Sequence, residues 1–147
     1  MIQILLALFL SLATVPVITL ERTPCYGTCP FYKLTIYEDG KVEYEGEDHV
    51  KHKGKAEGRI TKAELEELIR EFERIDYLNL ADDYTSDSKN CPQTWTDHSS
   101  AVTSLNWKGK KKRIAHYHGC QGSTVLQQLT ALEDKIDQVV KTERWIK

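Results

Sequence analysis

The chain has 147 residues, of which 20 are basic and 22 acidic, and its formal net charge at pH 7 is −2. A chain so close to neutrality lacks the excess of positive charge that attracts nucleic acid, so we expect no nucleic-acid partner. The length suits one domain with a substantial hydrophobic core.

The N-terminus carries no charged side chain from Met1 to Leu20. The apolar run Ile4–Leu10 has the length of the hydrophobic region of a signal peptide and is too short to span a bilayer. Small residues at Ser11 and Ala13 occupy the positions that a signal peptidase reads. We therefore predict a signal peptide over residues 1–13.

Removal of that peptide would leave one α+β domain over residues 14–147, in the periplasm or secreted, with no stable membrane span after cleavage. No Lys or Arg precedes the apolar run, so an uncleaved anchor or a mis-assigned start remains the alternative. The segment Val17–Leu20 also favours a β-strand.

Two strands follow as a hairpin. Apolar residues alternate from Phe31 to Glu38 and again from Val42, and Asp39-Gly40 between them predicts a two-residue type I′ turn. A weaker alternation over His49–Arg59 predicts a further strand near a sheet edge, where its lysines discourage edge-to-edge pairing.

A helix begins after Thr61, because Thr61 and Glu64 form a capping box and apolar residues follow at helical spacing. The polar segment Asn79–Ser100 has no periodicity and is predicted to be a functional or tethered loop. A second hairpin turns at Lys108-Gly109, which would pair Leu105 with Lys112, Thr103 with Ile114 and Ala101 with His116.

The last helix is capped near Ser123, and its predicted inward residues are Leu126, Leu129, Leu132, Ile136 and Val139. The element order is therefore β-β-β(-β)-α-β-β-α. This order is typical of an α+β domain in which an antiparallel sheet of about five to six strands has two helices packed on one face.

Four cysteines, Cys25, Cys29, Cys91 and Cys120, are an even number in an exported chain, which favours disulfide bonds that staple the fold. Three pairings are possible. A Cys25–Cys29 bond would anchor the first strand to the second. The alternative for these two residues is thiol-disulfide redox chemistry, but the segment enters a strand rather than a helix whose N-terminus lowers a thiol pKa.

A second cluster is His116-Tyr117-His118-Gly119-Cys120, in which strand alternation places His116, His118 and Cys120 on one side. Imidazole and thiolate bind zinc or copper, so a metal site is one interpretation. The other interpretation is a pair of hydrogen-bonded histidines beside the core. The residues considered as a completing ligand are His98, Asp97 and His52.

The second hairpin carries five positive charges at its tip beside Trp107, namely Lys108, Lys110, Lys111, Lys112 and Arg113. This basic tip could dock on an anionic envelope surface or be a solvated turn. Trp95, in the polar loop, is a further candidate binding residue.

No nucleophile or acid–base pair is recognisable, so the sequence favours a non-enzymatic binding or structural module of the cell envelope or the secreted fraction, without catalytic residues or a required cofactor. Its partner would be a protein, a glycan or an anionic envelope surface. The alternative function is a zinc- or copper-binding or thiol-disulfide redox protein that uses His116, His118 and the cysteines.

The segments Thr23–Tyr32, Ile36–Gly40 and Val42–Gly46 together resemble an uncharacterised family of bacterial exported and lipoprotein domains, known as domain of unknown function 6438. The resemblance extends from about Val17 to the last helix and implies the fold but no established activity. It also implies the pairings Cys25 with Cys29 and Cys91 with Cys120.

Overall fold

The computed structural model describes residues 14–147; the predicted signal peptide lies outside them. Residues 14–147 contain nine strands: β1 Pro16–Arg22, β2 Phe31–Tyr37, β3 Lys41–Asp48, β4 Gly54–Arg59, β5 Asp83–Tyr84, β6 Gln93–Thr94, β7 Ser100–Trp107, β8 Lys110–Tyr117 and β9 Cys120–Gln121. The helices are α1 Lys62–Arg74, α2 Thr124–Val140 and the short α3 Glu143–Ile146, with a 3₁₀ turn at Tyr77–Asn79.

Seven strands form one sheet in the order β4-β3-β2-β1-β7-β8-β5, and β6 pairs with β9 in a separate ribbon. The α+β class is confirmed. The sheet is larger than the predicted five to six strands because the two-residue β5 joins its edge, running parallel to β8 while the other pairs are antiparallel. A pairing of two residues has no periodicity for the sequence to display.

Alternation along the strands gives the sheet one apolar and one polar face. The apolar face contributes buried residues such as Ile18, Leu34 and Ile114 to a core that also contains the apolar stripes of α1 and α2. The opposite face carries polar residues, among them Thr19, whose hydroxyl lies 2.5 Å from that of Ser104. Both long helices therefore cover the same side of the sheet.

Local signals set both helix starts. The capping box at Thr61 is present, and Ser123 accepts a hydrogen bond from the backbone N–H of Leu126 at the start of α2. At the other end of α2 the buried residue is Val140, whereas the predicted Val139 is only partly buried. The other four predicted inward residues are buried, so the stripe differs only at its last position, which lies four residues after Ile136 rather than three.

The two hairpins differ. At Lys108-Gly109 both residues have positive φ, and the predicted register of β7 with β8 is confirmed. The predicted type I′ turn at Asp39-Gly40 is wrong, because Gly40 alone has positive φ there and the loop has three residues. A side chain at Gly40 would also collide with the carbonyl oxygen of Ile60.

The predicted strand over His49–Arg59 is shorter, since β4 begins at Gly54 and His49 takes positive φ in a turn. Its position at the sheet edge agrees with the expectation. The segment 79–100 contains β5 and β6 and is tethered through the disulfide at Cys91.

Candidate functional site: a buried His–Glu–His cluster

Two histidines from the end of β8 meet one carboxylate from α2. His116 Nδ1 donates to Glu133 Oε1 and His118 Nε2 donates to Glu133 Oε2, each over 2.7 Å. The two imidazole rings are nearly perpendicular, with 4.8 Å between their centroids. We call His116, His118 and Glu133 the His–Glu–His cluster.

The cluster is desolvated on the side of the core. His116 and Glu133 are buried, and the His118 side chain is 19% exposed. Burial raises the pKa of Glu133, but the hydrogen bonds from His116 and His118 outweigh it and hold this pKa below its usual value. Glu133 is therefore a buried, ionised carboxylate whose two oxygens are both occupied.

A second set of charges surrounds the cluster. Arg22, at the end of β1, contacts Asp137 Oδ2 through Nη2 at 2.8 Å and Asp134 Oδ1 at 3.0 Å, while its Nη1 lies 3.9 Å from Glu133. Tyr32 donates to Asp137 Oδ1 at 2.7 Å. Burial, and then the negative charge of Asp137, raise the pKa of Tyr32 above its ordinary value. By these distances Arg22 is held mainly by Asp137, at 2.8 Å, rather than by Glu133, at 3.9 Å.

The cluster reaches solvent through His118, which lines two cavities together with Arg22. One cavity of about 360 Å³ lies over the start of α2, and a second of about 280 Å³ lies against the Cys25–Cys29 loop. The larger cavity is lined mainly by hydrogen-bonding residues, which are Arg22, His118, Gln121, Ser123, Gln127, Thr130 and Asp134.

Both disulfides lie at this end of the sheet. The structure contains Cys25–Cys29 and Cys91–Cys120, the pairs that the family resemblance implies, so all four cysteines are oxidised. The first pair closes the connection between β1 and β2 and does not lie at a helix N-terminus. The second ties the polar loop to β9.

Two large aromatic side chains are exposed at the same end. Tyr26, inside the Cys25–Cys29 loop, is 92% exposed, and Trp95 is 61% exposed. The backbone of Trp95 is fixed, because its N–H donates to Gly119 and its carbonyl accepts from the Tyr117 hydroxyl. We call the loops around Tyr26, Trp95 and the larger cavity the loop end.

The basic tip lies at the opposite end of β8, about 20 Å from the cluster at 3.3 Å per residue. Its five charges do not form one patch, because strand alternation sends Lys111 and Arg113 to the other face of the sheet from Lys110 and Lys112. Lys112 is also engaged, since its ammonium contacts the Leu80 carbonyl and the Asp82 carboxylate. Trp107, beside the tip, is partly buried, and its indole N–H has no partner among the described residues.

The structure brings together only part of the suggested ligand set. Cys120 is in a disulfide, His98 packs against the ring of Tyr117, and His52 contacts the carbonyl of Lys55. Asp97 is exposed in its loop. None of these residues completes the cluster.

Its third member is Glu133, which the sequence reasoning missed. Glu133 lies four residues after Leu129 and three before Ile136, both inward-facing, so the helical period itself puts this charge on the buried face. A carboxylate on a core stripe needs a partner, and that is the signal that could have identified it. Arg22, Tyr32 and Asp137 carried no comparable signal.

Residues 16–140 match a family model described as Domain of unknown function (DUF6438). The chain belongs to this family. No curated protein matches the chain. The family assignment agrees with the resemblance noted from the cysteine and hairpin segments and brings no activity with it. Among residues 14–147 no helix is long and apolar enough to cross a membrane.

Proposed function

We propose that this protein is an extracytoplasmic, disulfide-stabilised domain that binds a glycan at the loop end. The observation that carries the proposal is the larger cavity, most of whose lining residues carry amide, hydroxyl or charged groups. Sugars are recognised through many hydrogen bonds from groups of this kind, together with stacking on an exposed aromatic ring.

Within the lining, Thr130 Oγ1 donates to the Leu126 carbonyl and Asp134 contacts Arg22, and each keeps lone pairs that can accept a hydrogen bond from a ligand. Gln127, Thr130 and Asp134 are exposed on consecutive turns of α2 and form one polar wall. Trp95 adds an exposed ring on the neighbouring β6 segment, held by its backbone bonds to Gly119 and Tyr117. A wall on one helix and a ring on a fixed backbone reduce the ordering cost of binding.

Of the other partners considered, an anionic surface has less support. The basic tip is split over two faces of its hairpin, and Lys112 is neutralised by Asp82. The two disulfides support an oxidising compartment, where such bonds persist. Thiol-disulfide exchange stays a prediction; alkylation of the unreduced protein followed by mass measurement tests it, and two free thiols would support it.

The test is a titration of the purified domain with a β-1,4-linked N-acetylglucosamine tetramer and, separately, maltotetraose, followed by amide chemical shifts and tryptophan fluorescence. We expect one sugar to shift amides of α2 and β9, and Trp95→Ala or Gln127→Ala to weaken its binding about tenfold or more. Lys111→Gln, at the opposite end, is the control and should bind normally. Absence of saturable shifts with both sugars, or shifts confined to the basic tip, would contradict the proposal.

A further inference from the structure

The His–Glu–His cluster offers three metal-binding groups from two elements that the fold holds in place. One ligand atom each from His116, His118 and Glu133 lies within 4.8 Å of the other two. In a tetrahedral zinc site with bonds of about 2.0–2.1 Å, neighbouring ligand atoms are about 3.3 Å apart. Small side-chain rotations would therefore bring these atoms to bonding distance of one ion.

The chemistry of the three groups is that of zinc. Two imidazoles and one carboxylate form a donor set found in zinc sites that keep a fourth position open. The ring nitrogens that would bind the ion are those that now donate to Glu133, so zinc would take the place of two hydrogen-bonded protons. In each neutral imidazole that proton would move to the other ring nitrogen.

The surroundings of His118 suit this exchange. When His118 Nε2 binds a metal, the ring proton resides on Nδ1, and Ser99 Oγ lies 3.4 Å from that atom. A hydroxyl at this position can accept a hydrogen bond from the ring N–H and fix the orientation of the ring. Cys120 does not compete as a ligand, because it is bonded to Cys91.

The charge balance also favours a dication. Three carboxylates, Glu133, Asp134 and Asp137, surround the single guanidinium of Arg22. With both histidines neutral, this group carries two net negative charges. Asp134 is exposed, but the charge on Glu133 is buried and lies 3.9 Å from the guanidinium, and a buried charge is costly unless it is compensated. One Zn²⁺ would neutralise it.

We propose that His116, His118 and Glu133 form a zinc site whose open position lies on the side of His118, the member of the cluster that lines both cavities. This inference does not depend on the glycan proposal, because zinc binding is measured without any sugar. The competing explanation is that the cluster is a hydrogen-bonded structural network that binds no metal.

The test is metal analysis of the full chain after treatment with EDTA, removal of the chelator and equilibration with zinc sulfate. We expect one zinc per chain and, on substitution with Co²⁺, the visible absorption bands of a tetrahedral site. Affinity is measured in competition with a chromophoric chelator.

Two variants and one control separate the explanations. His118→Asn, at the partly exposed member, and Glu133→Gln should each lower zinc affinity by about tenfold or more. His98→Gln, a histidine outside the cluster, should leave affinity and the Co²⁺ bands unchanged. Circular dichroism checks that each variant is folded, and His118→Asn keeps the test decisive if Glu133→Gln is unstable.

Zinc content of the unaltered protein no higher than that of His118→Asn would overturn the proposal. Equal zinc affinity in both proteins would also overturn it, because the ion would then be bound elsewhere.

Discussion

Replacing Glu133 with alanine removes the only carboxylate within hydrogen-bonding distance of His116 and His118 in the described structure. Each lost hydrogen bond to the charged group is worth about 1.5–3 kcal/mol, and removal of one member of a buried pair typically costs about 3–5 kcal/mol. His116 is left 2% exposed without this partner. We therefore expect Glu133→Ala to lower the free energy of unfolding by about 3–5 kcal/mol.

The assay is urea unfolding at pH 7 with the disulfides intact and EDTA present, so that no metal contributes to stability. The matched control is Asp134→Ala, one residue further along α2, whose side chain is 67% exposed although it contacts Arg22. A solvent-exposed ion pair of this kind contributes less than about 1 kcal/mol. The difference between the two variants therefore isolates the effect of burial.

Glu133→Gln tests whether the stabilisation comes from the hydrogen bonds of Glu133 to the two histidines. The amide keeps the shape of the side chain, accepts a hydrogen bond from one imidazole and donates one to the other. We therefore expect a decrease in the free energy of unfolding that lies between those of Glu133→Ala and Asp134→Ala. If Glu133→Ala lies within about 1 kcal/mol of Asp134→Ala, the assignment of Glu133 as a desolvated partner of both histidines is refuted.

The remaining predictions concern the two disulfides and the buried Tyr32. Cys91 and Cys120 are 29 residues apart, whereas Cys25 and Cys29 are only 4 apart. On the loop-entropy relation, replacing the Cys91–Cys120 pair by alanine should lower the free energy of unfolding by about 3.6 kcal/mol, and replacing the Cys25–Cys29 pair by about 1.9 kcal/mol. Equal losses in urea unfolding would contradict that relation here. The pKa of Tyr32 is raised by burial and by the charge on Asp137, so the folded chain keeps a proton that the unfolded chain loses above pH about 10. The contribution of Tyr32 to stability is therefore fully present below that pH and is lost progressively above it. Tyr32→Phe should reduce the fall in the free energy of unfolding between pH 9 and 11. Identical pH dependence in the two proteins would count against this prediction.

Local sequence was sufficient to predict the features that depend on residues close together in the chain. The capping box at Thr61, the turn at Lys108-Gly109 and the register that this turn imposes on β7 and β8 depend on residues only a few positions apart. Where a contact with a residue distant in sequence shapes the backbone, the prediction from local sequence was wrong. The loop at Gly40 is packed against the backbone of Ile60, and it adopts a three-residue form instead of the expected two-residue turn.

The candidate site shows the same division. His116 and His118 were recognisable because two histidines two residues apart on a strand share one side. Their partner Glu133 comes from another element and is identified only when α2 packs on the sheet. The basic tip gave the opposite result, because its run of charges is conspicuous in the sequence but the strand pleat divides it between two faces and Asp82 neutralises Lys112.

The sequence by itself determined the long strands and helices, the α+β class and two of the three residues of the cluster, His116 and His118, because periodicity, caps and turns act over short distances along the chain. Only the tertiary structure decided that β1 lies between β2 and β7, that both disulfide loops meet at one end of the sheet, and that Glu133 joins the two histidines. These features require segments many residues apart to become neighbours, and that proximity arises from packing of the apolar faces into one core.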